Sequence, residues 1–167
     1  MDIRIAGTVE DSIVDGPGLR FVVFVQGCPH HCEGCHNPET HDFSAGKLTT
    51  TDALYEMCME NPLCSGVPFP GGEPFCQPEA LYELGSRFKA AGKHLMCYSG
   101  WTFEELLKKS GREEYVGKLL SILDVLVDGR FDISKRSLSL LFRGSSNQRL
   151  IDVPASLTNG EAVELPE

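Results

Sequence analysis

The sequence predicts an α/β fold, an open parallel sheet with outer helices that forms part of a (βα) barrel. Short apolar runs alternate with amphipathic segments whose apolar residues recur every three or four positions, as in parallel strands joined by helical crossovers. The chain has 167 residues, whereas a full eight-unit barrel typically needs roughly 200 or more. Hydrophobic residues make up 41% of the sequence, and the 17 glycines add to them, which is typical of a soluble globular domain.

In the first half of the chain, one strand and one loop stand out. Residues 21–25 (FVVFV) form a continuous apolar run, as in a strand buried on both faces. The loop that follows, residues 27–46, is rich in cysteine, histidine, glycine and proline. The other elements predicted here are a helix that Thr49 and Asp52 open as a capping pair and that ends near Glu60, and a short strand at 67–69.

The second half continues the alternation of strands and helices. One predicted helix has four apolar residues on one face and Gly92 just past its end, and another opens with the capping pair Thr102 and Glu105. We expect a single domain over residues 1–153, followed by an acidic and weakly patterned tail at 154–167. The remaining predicted elements are strands at 94–98, 125–127, 138–142 and 148–153, and a helix at 115–123.

Charge and hydropathy exclude some classes of partner. The chain has 15 Lys and Arg against 24 Asp and Glu, a net charge of −9, whereas a nucleic-acid binder needs a basic face. No apolar run approaches the roughly 18 residues of a membrane span, and residues 1–10 lack the basic-then-apolar pattern of a signal peptide. We therefore expect a cytoplasmic protein with neither nucleic acid nor a membrane as its partner.

Residues suited to chemistry follow four of the predicted strands. Because the carboxyl ends of parallel strands meet at one edge of a sheet, we expect these residues to form one composite site. They are three cysteines after the first buried strand, Gly71–Pro74 after the second, Ser99 after the third, and Asp128 and Arg130 after the fourth.

The strongest local signal is a cysteine cluster. The chain contains seven cysteines, and Cys28, Cys32 and Cys35 crowd into one short loop. In a reducing compartment, clustered cysteines bind metal or do redox chemistry more often than they form disulfides. One interpretation is a zinc site closed by a fourth ligand, since several histidines lie nearby. The other is an iron–sulfur cluster with one iron open to a small molecule. The spacing alone leaves both open.

The second signal is the glycine-rich segment Gly71-Gly72-Glu73-Pro74 at the end of a predicted strand. Glycines let a backbone approach a ligand closely. Backbone carbonyls and the Glu73 carboxylate are suited to receive an ammonium group. An amino acid moiety held there, with its amine and carboxylate on an open iron, makes one coherent site.

Together, these motifs resemble those of the radical S-adenosylmethionine (SAM) enzymes, whose cluster spacing is Cys-x3-Cys-x2-Cys. Residues 15–20 (DGPGLR) and 35–38 (CHNP) resemble, within that superfamily, the activating enzymes of glycyl-radical proteins. Residues 124–131 (DVLVDGRF) and 142–152 (FRGSSNQRLID) are similar to the activases that serve anaerobic ribonucleotide reductase. The resemblance covers residues 5–153, and several ordered motifs carry it.

The resemblance implies a partial radical SAM barrel and a role for each site residue. Cys28, Cys32 and Cys35 would be the catalytic cysteines that ligate a 4Fe-4S cluster. Gly71, Gly72, Glu73 and Pro74 form the motif that would receive the amine of SAM. The other implied cofactor contacts are His36 and Asn37 along the edge of SAM, and Ser99, Asp128 and Arg130 near its ribose and carboxylate.

The resemblance also implies the reaction of an oxidoreductase. The reduced cluster would cleave SAM, and the 5′-deoxyadenosyl radical would take a hydrogen atom from a glycine in the glycyl-radical subunit of anaerobic ribonucleotide reductase. The electron would come from a donor such as flavodoxin or ferredoxin. Two alternatives stay open: another radical SAM enzyme, such as the activase of a different glycyl-radical enzyme, and a zinc-binding module without catalysis.

Overall fold

The computed structural model describes residues 1–13, 18–140 and 142–166, so Asp15, Gly16 and Pro17 of the DGPGLR segment lie outside the described residues. Over the described ranges the chain forms one seven-stranded sheet and five α-helices. The strands are β1 (Asp2–Ser12), β2 (Arg20–Val25), β3 (Lys47–Thr50), β4 (Gly66–Phe69), β5 (His94–Ser99), β6 (Val125–Asp128) and β7 (Arg149–Asp152). The helices are α1 (Thr51–Met59), α2 (Pro78–Ala90), α3 (Phe103–Ser110), α4 (Glu114–Ile122) and α5 (Val153–Asn159).

The sheet has a parallel centre and antiparallel edges. Its strand order is β3-β1-β2-β4-β5-β6-β7. The neighbours β2, β4, β5 and β6 are parallel, whereas β1 is antiparallel to β2 and β3, and β7 is antiparallel to β6. The α/β class is therefore confirmed, and the expected parallel sheet forms its centre. The antiparallel edges depart from the prediction.

β1 and β3 were not predicted because neither is a continuous apolar run. In β1, Ile3 and Ile5 are each 1% exposed and flank the half-buried Arg4, the alternation of an antiparallel strand with one solvated face. In β3, Leu48 is 60% exposed. Both strands depend on pairing across the sheet, which a local pattern does not specify.

The start of α1 differs from the prediction by one residue. Its N-cap is Thr50, whose hydroxyl accepts a hydrogen bond at 3.1 Å from an amide of the first turn. Thr49 is part of β3, so its predicted capping role with Asp52 is wrong. The capping box of Thr102 and Glu105 at the start of α3 is confirmed.

The strand predicted at 138–142 is absent from the described residues of that segment. Leu138 is 87% exposed, and it lies in a turn. The alternating Ser-Leu pattern is typical of a strand, but the chain folds back here so that Arg136 bridges to Ser145. Leu141 lies outside the described residues.

The residues expected to form a weakly patterned tail include helix α5. The Asp152 side chain caps this helix by accepting a hydrogen bond from the Ala155 amide at 3.0 Å. Gly160, with a φ of 76°, ends it. Further along, Glu164 bridges to Ile151 of β7. The chain beyond residue 153 therefore packs against the sheet.

The helices cover one face of the sheet. Leu95 and Cys97 of β5 belong to the large core that includes α2 and α4. Their neighbours Met96 and Tyr98 join a smaller apolar cluster with Leu150 of β7, because successive side chains of a strand point to opposite faces. Among the described residues, no helix is both long and apolar enough to cross a membrane.

Candidate functional site

A cavity of about 480 Å³ opens at the carboxyl ends of the central parallel strands. The segments that follow β2, β4, β5 and β6 all contribute to its wall. Residues predicted for the site from three of these segments line it together: Cys28, Cys32, Cys35, His36, Asn37, Gly72 and Ser99. The parallel centre of the sheet thus brings distant parts of the sequence to one space.

Five residues predicted for the site do not line this cavity: Gly71, Glu73, Pro74, Asp128 and Arg130. Glu73 and Asp128 are buried inside the fold, at 0% and 1% exposure, whereas Arg130 is exposed. The Gly71 carbonyl accepts a hydrogen bond from the Val25 amide at 3.1 Å, so it extends the pairing between the ends of β2 and β4.

The cysteine loop, residues 27–46, is folded back on itself. The Cys28 amide donates to the His41 carbonyl at 3.2 Å, and the Cys35 amide donates to the Cys32 carbonyl at 3.2 Å. The Asn37 amide lies 3.4 Å from the Cys35 sulfur, to which it donates. These backbone bonds hold the three thiols at the cavity wall.

The donors of this loop fit an iron–sulfur cluster, because cysteine thiolates are the usual protein ligands of such clusters. Burial raises the pKa of the Cys28 thiol to about 11, so a bound metal must displace its proton. The rings of Phe24 and Phe131 line the same cavity and make part of its wall apolar. In the described part of the chain, no three His, Cys, Asp or Glu side chains meet closely enough to hold a single metal ion; the three cysteines share the cavity instead.

Glu73 joins three loops beneath the cavity. Its Oε1 lies 2.6 Å from His30 Nε2 and accepts a hydrogen bond from the Gly100 amide at 2.8 Å. The Ser99 hydroxyl lies 2.9 and 3.0 Å from the two carboxylate oxygens, and the Phe75 amide donates to Oε2 at 3.0 Å. Donors from the cysteine loop, the glycine-rich loop and the end of β5 therefore surround one buried carboxylate.

Two glycines permit this close meeting of loops. Gly72 has a φ of +65°, and a Cβ there would lie 2.3 Å from the Val25 carbonyl oxygen. A Cβ on Gly100 would lie 2.3 Å from the His30 ring. Larger residues at either position would push the loops apart and open the contacts of Glu73.

The Asp128 carboxylate is used inside the fold. It accepts a hydrogen bond from the Phe103 amide at the start of α3 at 2.7 Å. Its oxygens also accept from Arg149 Nε at 3.0 Å and Nη2 at 2.5 Å, and these bonds raise the pKa of Arg149 above its usual value. Arg149 Nη2 lies 2.6 Å from Glu104 as well. This ion pair ties β6 to β7 and α3.

Arg143 is a cavity residue that the sequence reasoning missed, and it is the one Lys or Arg among the described residues of the cavity wall. Its Nη1 donates to the Gln148 carbonyl at 3.1 Å. The Gln148 side chain accepts from the Gly144 amide at 2.9 Å and donates to the Gly129 carbonyl at 3.0 Å, which ties this loop to the end of β6. The sequence feature that pointed to Arg143 is a basic residue within segment 142–152, which resembles the activases. The other missed side chains are Phe24, His30, His41, Pro70, Tyr98, Phe131, Leu140, Phe142 and Gln148.

Known proteins resemble this chain over most of its length. The family model of the 4Fe-4S single cluster domain matches residues 14–151. The chain is 33% identical over 143 residues to the anaerobic ribonucleoside-triphosphate reductase-activating protein of Enterobacteria phage T4, which covers 82% of this chain and 86% of that protein. It is 33% identical over 146 residues to the protein of the same name from Haemophilus influenzae, with 81% and 89% covered.

A further relative is the pyruvate formate-lyase-activating enzyme of Clostridium pasteurianum, 39% identical over 114 residues that span 63% of this chain and 48% of that enzyme. The matched region of the family model contains the cysteine loop and all four strand ends that build the cavity. The chain therefore belongs to the 4Fe-4S single cluster domain family and, within it, to the anaerobic ribonucleoside-triphosphate reductase-activating proteins.

Proposed function

We propose that this protein generates the glycyl radical of an anaerobic ribonucleotide reductase by reductive cleavage of SAM. The observation that carries the proposal is the shared cavity, which three cysteines of one loop line together with Gly72 and Ser99 from two strand ends. When bound, a 4Fe-4S cluster supplies the electron that cleaves SAM to methionine and a 5′-deoxyadenosyl radical. The fold proposed for this chemistry is an open, partial radical SAM barrel, in which the protein positions the reactants and excludes water.

In this proposal Cys28, Cys32 and Cys35 hold the cluster, and His36 and Asn37 border SAM. The Asn37 amide points at the Cys35 sulfur, and a hydrogen bond to a ligating sulfur tunes a cluster's potential. The His36 ring packs 5.1 Å from the Phe131 ring. The two rings are tilted by 47° to each other, and either one offers a face on which an adenine base can stack.

The amino group of SAM binds above Glu73, with Ser99 between them. A hydroxyl has one donor and two acceptor sites. Ser99 donates to Glu73 and accepts from the Trp101 amide at 3.0 Å, which leaves one acceptor site for an ammonium group. Gly72 brings the backbone close to the ligand, and the Glu73 carboxylate supplies the compensating negative charge from below.

The carboxylate of SAM binds Arg143 rather than Arg130. Arg143 lines the cavity, whereas Arg130 is exposed and lies outside the lining. Asp128 supports the site indirectly, because its bonds to α3 and Arg149 fix the end of β6.

A protein partner reaches the cavity from its open side. Two exposed apolar side chains lie on and next to the cysteine loop: Phe43 is 53% and Ile133 is 45% exposed. Phe43 packs closely on Gly27, and Ile133 packs closely on Gly34. Both side chains are available for contact with a protein partner. We propose that this surface receives the glycine loop of the reductase in the cytoplasm, with flavodoxin or ferredoxin as electron donor and without a nucleic acid or membrane partner.

The test is anaerobic reconstitution of the full chain with iron and sulfide, followed by reductant, SAM and the reductase. We expect 5′-deoxyadenosine and a glycyl-radical signal in electron paramagnetic resonance. Cys97→Ala is the matched control. Cys97 is buried in the helix-side core, so its replacement should leave both products unchanged. A colourless protein that holds zinc and leaves SAM intact would instead support a non-catalytic module.

Activation of pyruvate formate-lyase is the second candidate, because the relative from Clostridium pasteurianum has the higher identity, 39%. That match spans only 48% of the relative, which favours the reductase. Offering the activase each glycyl-radical enzyme separately decides between them. A radical on pyruvate formate-lyase alone would overturn the preferred assignment.

A further inference from the structure

Cys58 and Cys64 form a thiol pair that is remote from the cavity of the candidate site. Their sulfur atoms lie 3.7 Å apart, and the residues are 1% and 5% exposed. Cys58 lies near the end of α1, and Cys64 lies two residues before β4. The cysteine loop begins at the carboxyl end of β2, whereas Cys64 lies at the amino end of the neighbouring parallel strand β4. The length of a strand therefore separates the thiol pair from the cysteine loop. We propose that Cys58 and Cys64 are a reversible dithiol site that a small neutral hydroperoxide oxidises to a disulfide.

A separate cavity borders the pair and offers an oxidant a route to it. It has a volume of about 280 Å³, and Cys58 and Cys64 both line it. Since one water takes about 30 Å³ in the liquid, a peroxide molecule fits. The exposed residues Glu10, Asp11 and Glu60 also line this cavity. Their negative charge opposes entry of an anion such as glutathione disulfide and leaves neutral hydrogen peroxide unaffected.

The neighbours of the two thiols set the order of reaction. Arg20 lines the same cavity. Burial lowers the pKa of Arg20, and the Cys64 thiol donates a hydrogen bond to the Gly66 carbonyl at 3.3 Å. Burial and the nearby Cys64 raise the pKa of Cys58 to about 12. Cys64 is the more exposed of the two residues, at 5% against 1%, so Cys64 is the attacking residue and Cys58 resolves the intermediate.

The reaction consumes one hydrogen peroxide. The Cys64 thiolate attacks a peroxide oxygen and the O–O bond breaks, which gives Cys64 sulfenic acid and a hydroxide that takes up the proton Cys64 lost. The Cys58 thiol then attacks the sulfenic sulfur, the S–S bond forms, and the S–O bond breaks to release water with the Cys58 proton. Two thiols and one peroxide become one disulfide and two waters, and the peroxide accepts both electrons.

Peptide mapping of the anaerobically purified full chain tests the site directly. The protein is treated with hydrogen peroxide or with glutathione disulfide, alkylated in denaturant, and cut after glutamate. Glu60 lies between the two cysteines, so only a disulfide keeps their peptides joined. We expect peroxide to remove two alkylatable thiols and join these peptides, and a dithiol reductant to separate them again.

Three results would overturn the proposal: both cysteines still alkylated after peroxide, either one joined to a different cysteine, or equal oxidation by glutathione disulfide. The wild-type map needs no variant. Cys76→Ala is the control, because Cys76 lies outside this cavity and its loss should leave the disulfide intact. Cys58→Ser should stop at Cys64 sulfenic acid, which a cyclic 1,3-dione traps, and Cys64→Ser should leave Cys58 unmodified. The reverse pattern would contradict the order of attack.

Discussion

His30 Nε2 lies 2.6 Å from Glu73 Oε1, and this contact joins the cysteine loop to the glycine-rich loop. The His30 side chain is 4% exposed and that of Glu73 is fully buried. His30 stands between Cys28 and Cys32 in the sequence, and Ser99 donates to the same carboxylate. We therefore expect a change at Glu73 to affect both the proposed cluster ligands and the proposed SAM side of the cavity.

The first prediction concerns which cysteines hold the cluster. Alanine at Cys28, Cys32 or Cys35 should abolish iron loading beyond trace and all SAM cleavage, because these thiols share the cavity. Iron and sulfide analysis with the visible spectrum measures the loading. Alanine at the other four cysteines should leave the spectrum intact: Cys58, Cys64, Cys76 and Cys97. A folded Cys64 or Cys76 variant without a cluster would contradict the three-ligand model.

The second prediction separates a direct from an indirect role of Glu73. Charge-assisted hydrogen bonds contribute roughly 1.5–3 kcal/mol, so Glu73→Gln should weaken SAM binding by about ten- to a hundredfold. Ser99→Ala should weaken it by about three- to tenfold, since it removes one hydrogen bond. If Glu73 acts through Ser99, the double variant loses much less than the product of the two effects.

Calorimetric titration of SAM into the reconstituted variants measures this cycle, with iron content as the control for loading. Additive losses would show that Glu73 contacts the ligand without Ser99. An unchanged affinity in Glu73→Gln would remove Glu73 from the SAM site.

Local sequence predicted much of the fold and the backbone of the site. The continuous apolar run of β2 and the spacing of Cys28, Cys32 and Cys35 are short-range features, and the parallel direction of the central strands followed from the alternation of elements. The partners of Glu73 could not be predicted in this way. His30 and Ser99 lie 43 and 26 residues from it in sequence, and only the packed loops show that they meet.

The two arginines show the same limit. Arg130 follows a predicted strand end, where a site residue was expected, yet its side chain is exposed. Arg143 reaches the cavity wall from the residue just after a segment predicted as a strand, because the chain folds back there and Gln148 ties it to Gly129. Loop conformation, which depends on such tertiary bonds, determines which of the two arginines lines the cavity.

The third prediction tests this assignment. Arg143→Gln should weaken SAM binding by about tenfold or more, because a charged hydrogen bond to the SAM carboxylate is lost. Arg130→Gln is the matched control and should bind SAM like the unmodified protein. The same titration measures both. Weaker binding in the Arg130 variant alone would restore the sequence-based assignment.

The fourth prediction concerns the pH dependence of the metal-free protein. Burial raises the pKa of Cys58 to about 12 and that of Cys97 well above its ordinary value of 9.0. The folded state thus keeps protons that the unfolded state loses near pH 9, so this stability is complete below about pH 9 and is lost as pH rises toward about 12. The urea concentration at the unfolding midpoint should therefore decrease as the pH is raised from about 8 to about 10.5. Cys97→Ala should make that fall smaller, whereas an unchanged slope would exclude a contribution from Cys97.

Docking of the reductase depends on the charges around the cavity as well as on SAM. The net charge is −9, and Glu33, Glu39 and Asp42 are exposed on the cysteine loop. Lys135 and Arg136 are exposed on the loop after β6, so this face carries both signs. A basic patch on the partner would therefore meet the cysteine-loop side of the cavity.

The last prediction is that the reductase binds this face more tightly with SAM present and less tightly at high salt. The radical is too reactive to travel, so the target glycine must enter the cavity, and releasing its loop from the reductase core costs free energy. SAM that completes the cavity floor favours the docked state, which couples the two binding events. Calorimetry with and without SAM, at low and high salt, measures both effects. Glu39→Lys should weaken binding about two- to fivefold at low salt, whereas Lys135→Glu should not. Equal affinity in all four conditions would defeat both ideas, and a response to SAM without a response to salt would keep the shared site and discard the charge argument.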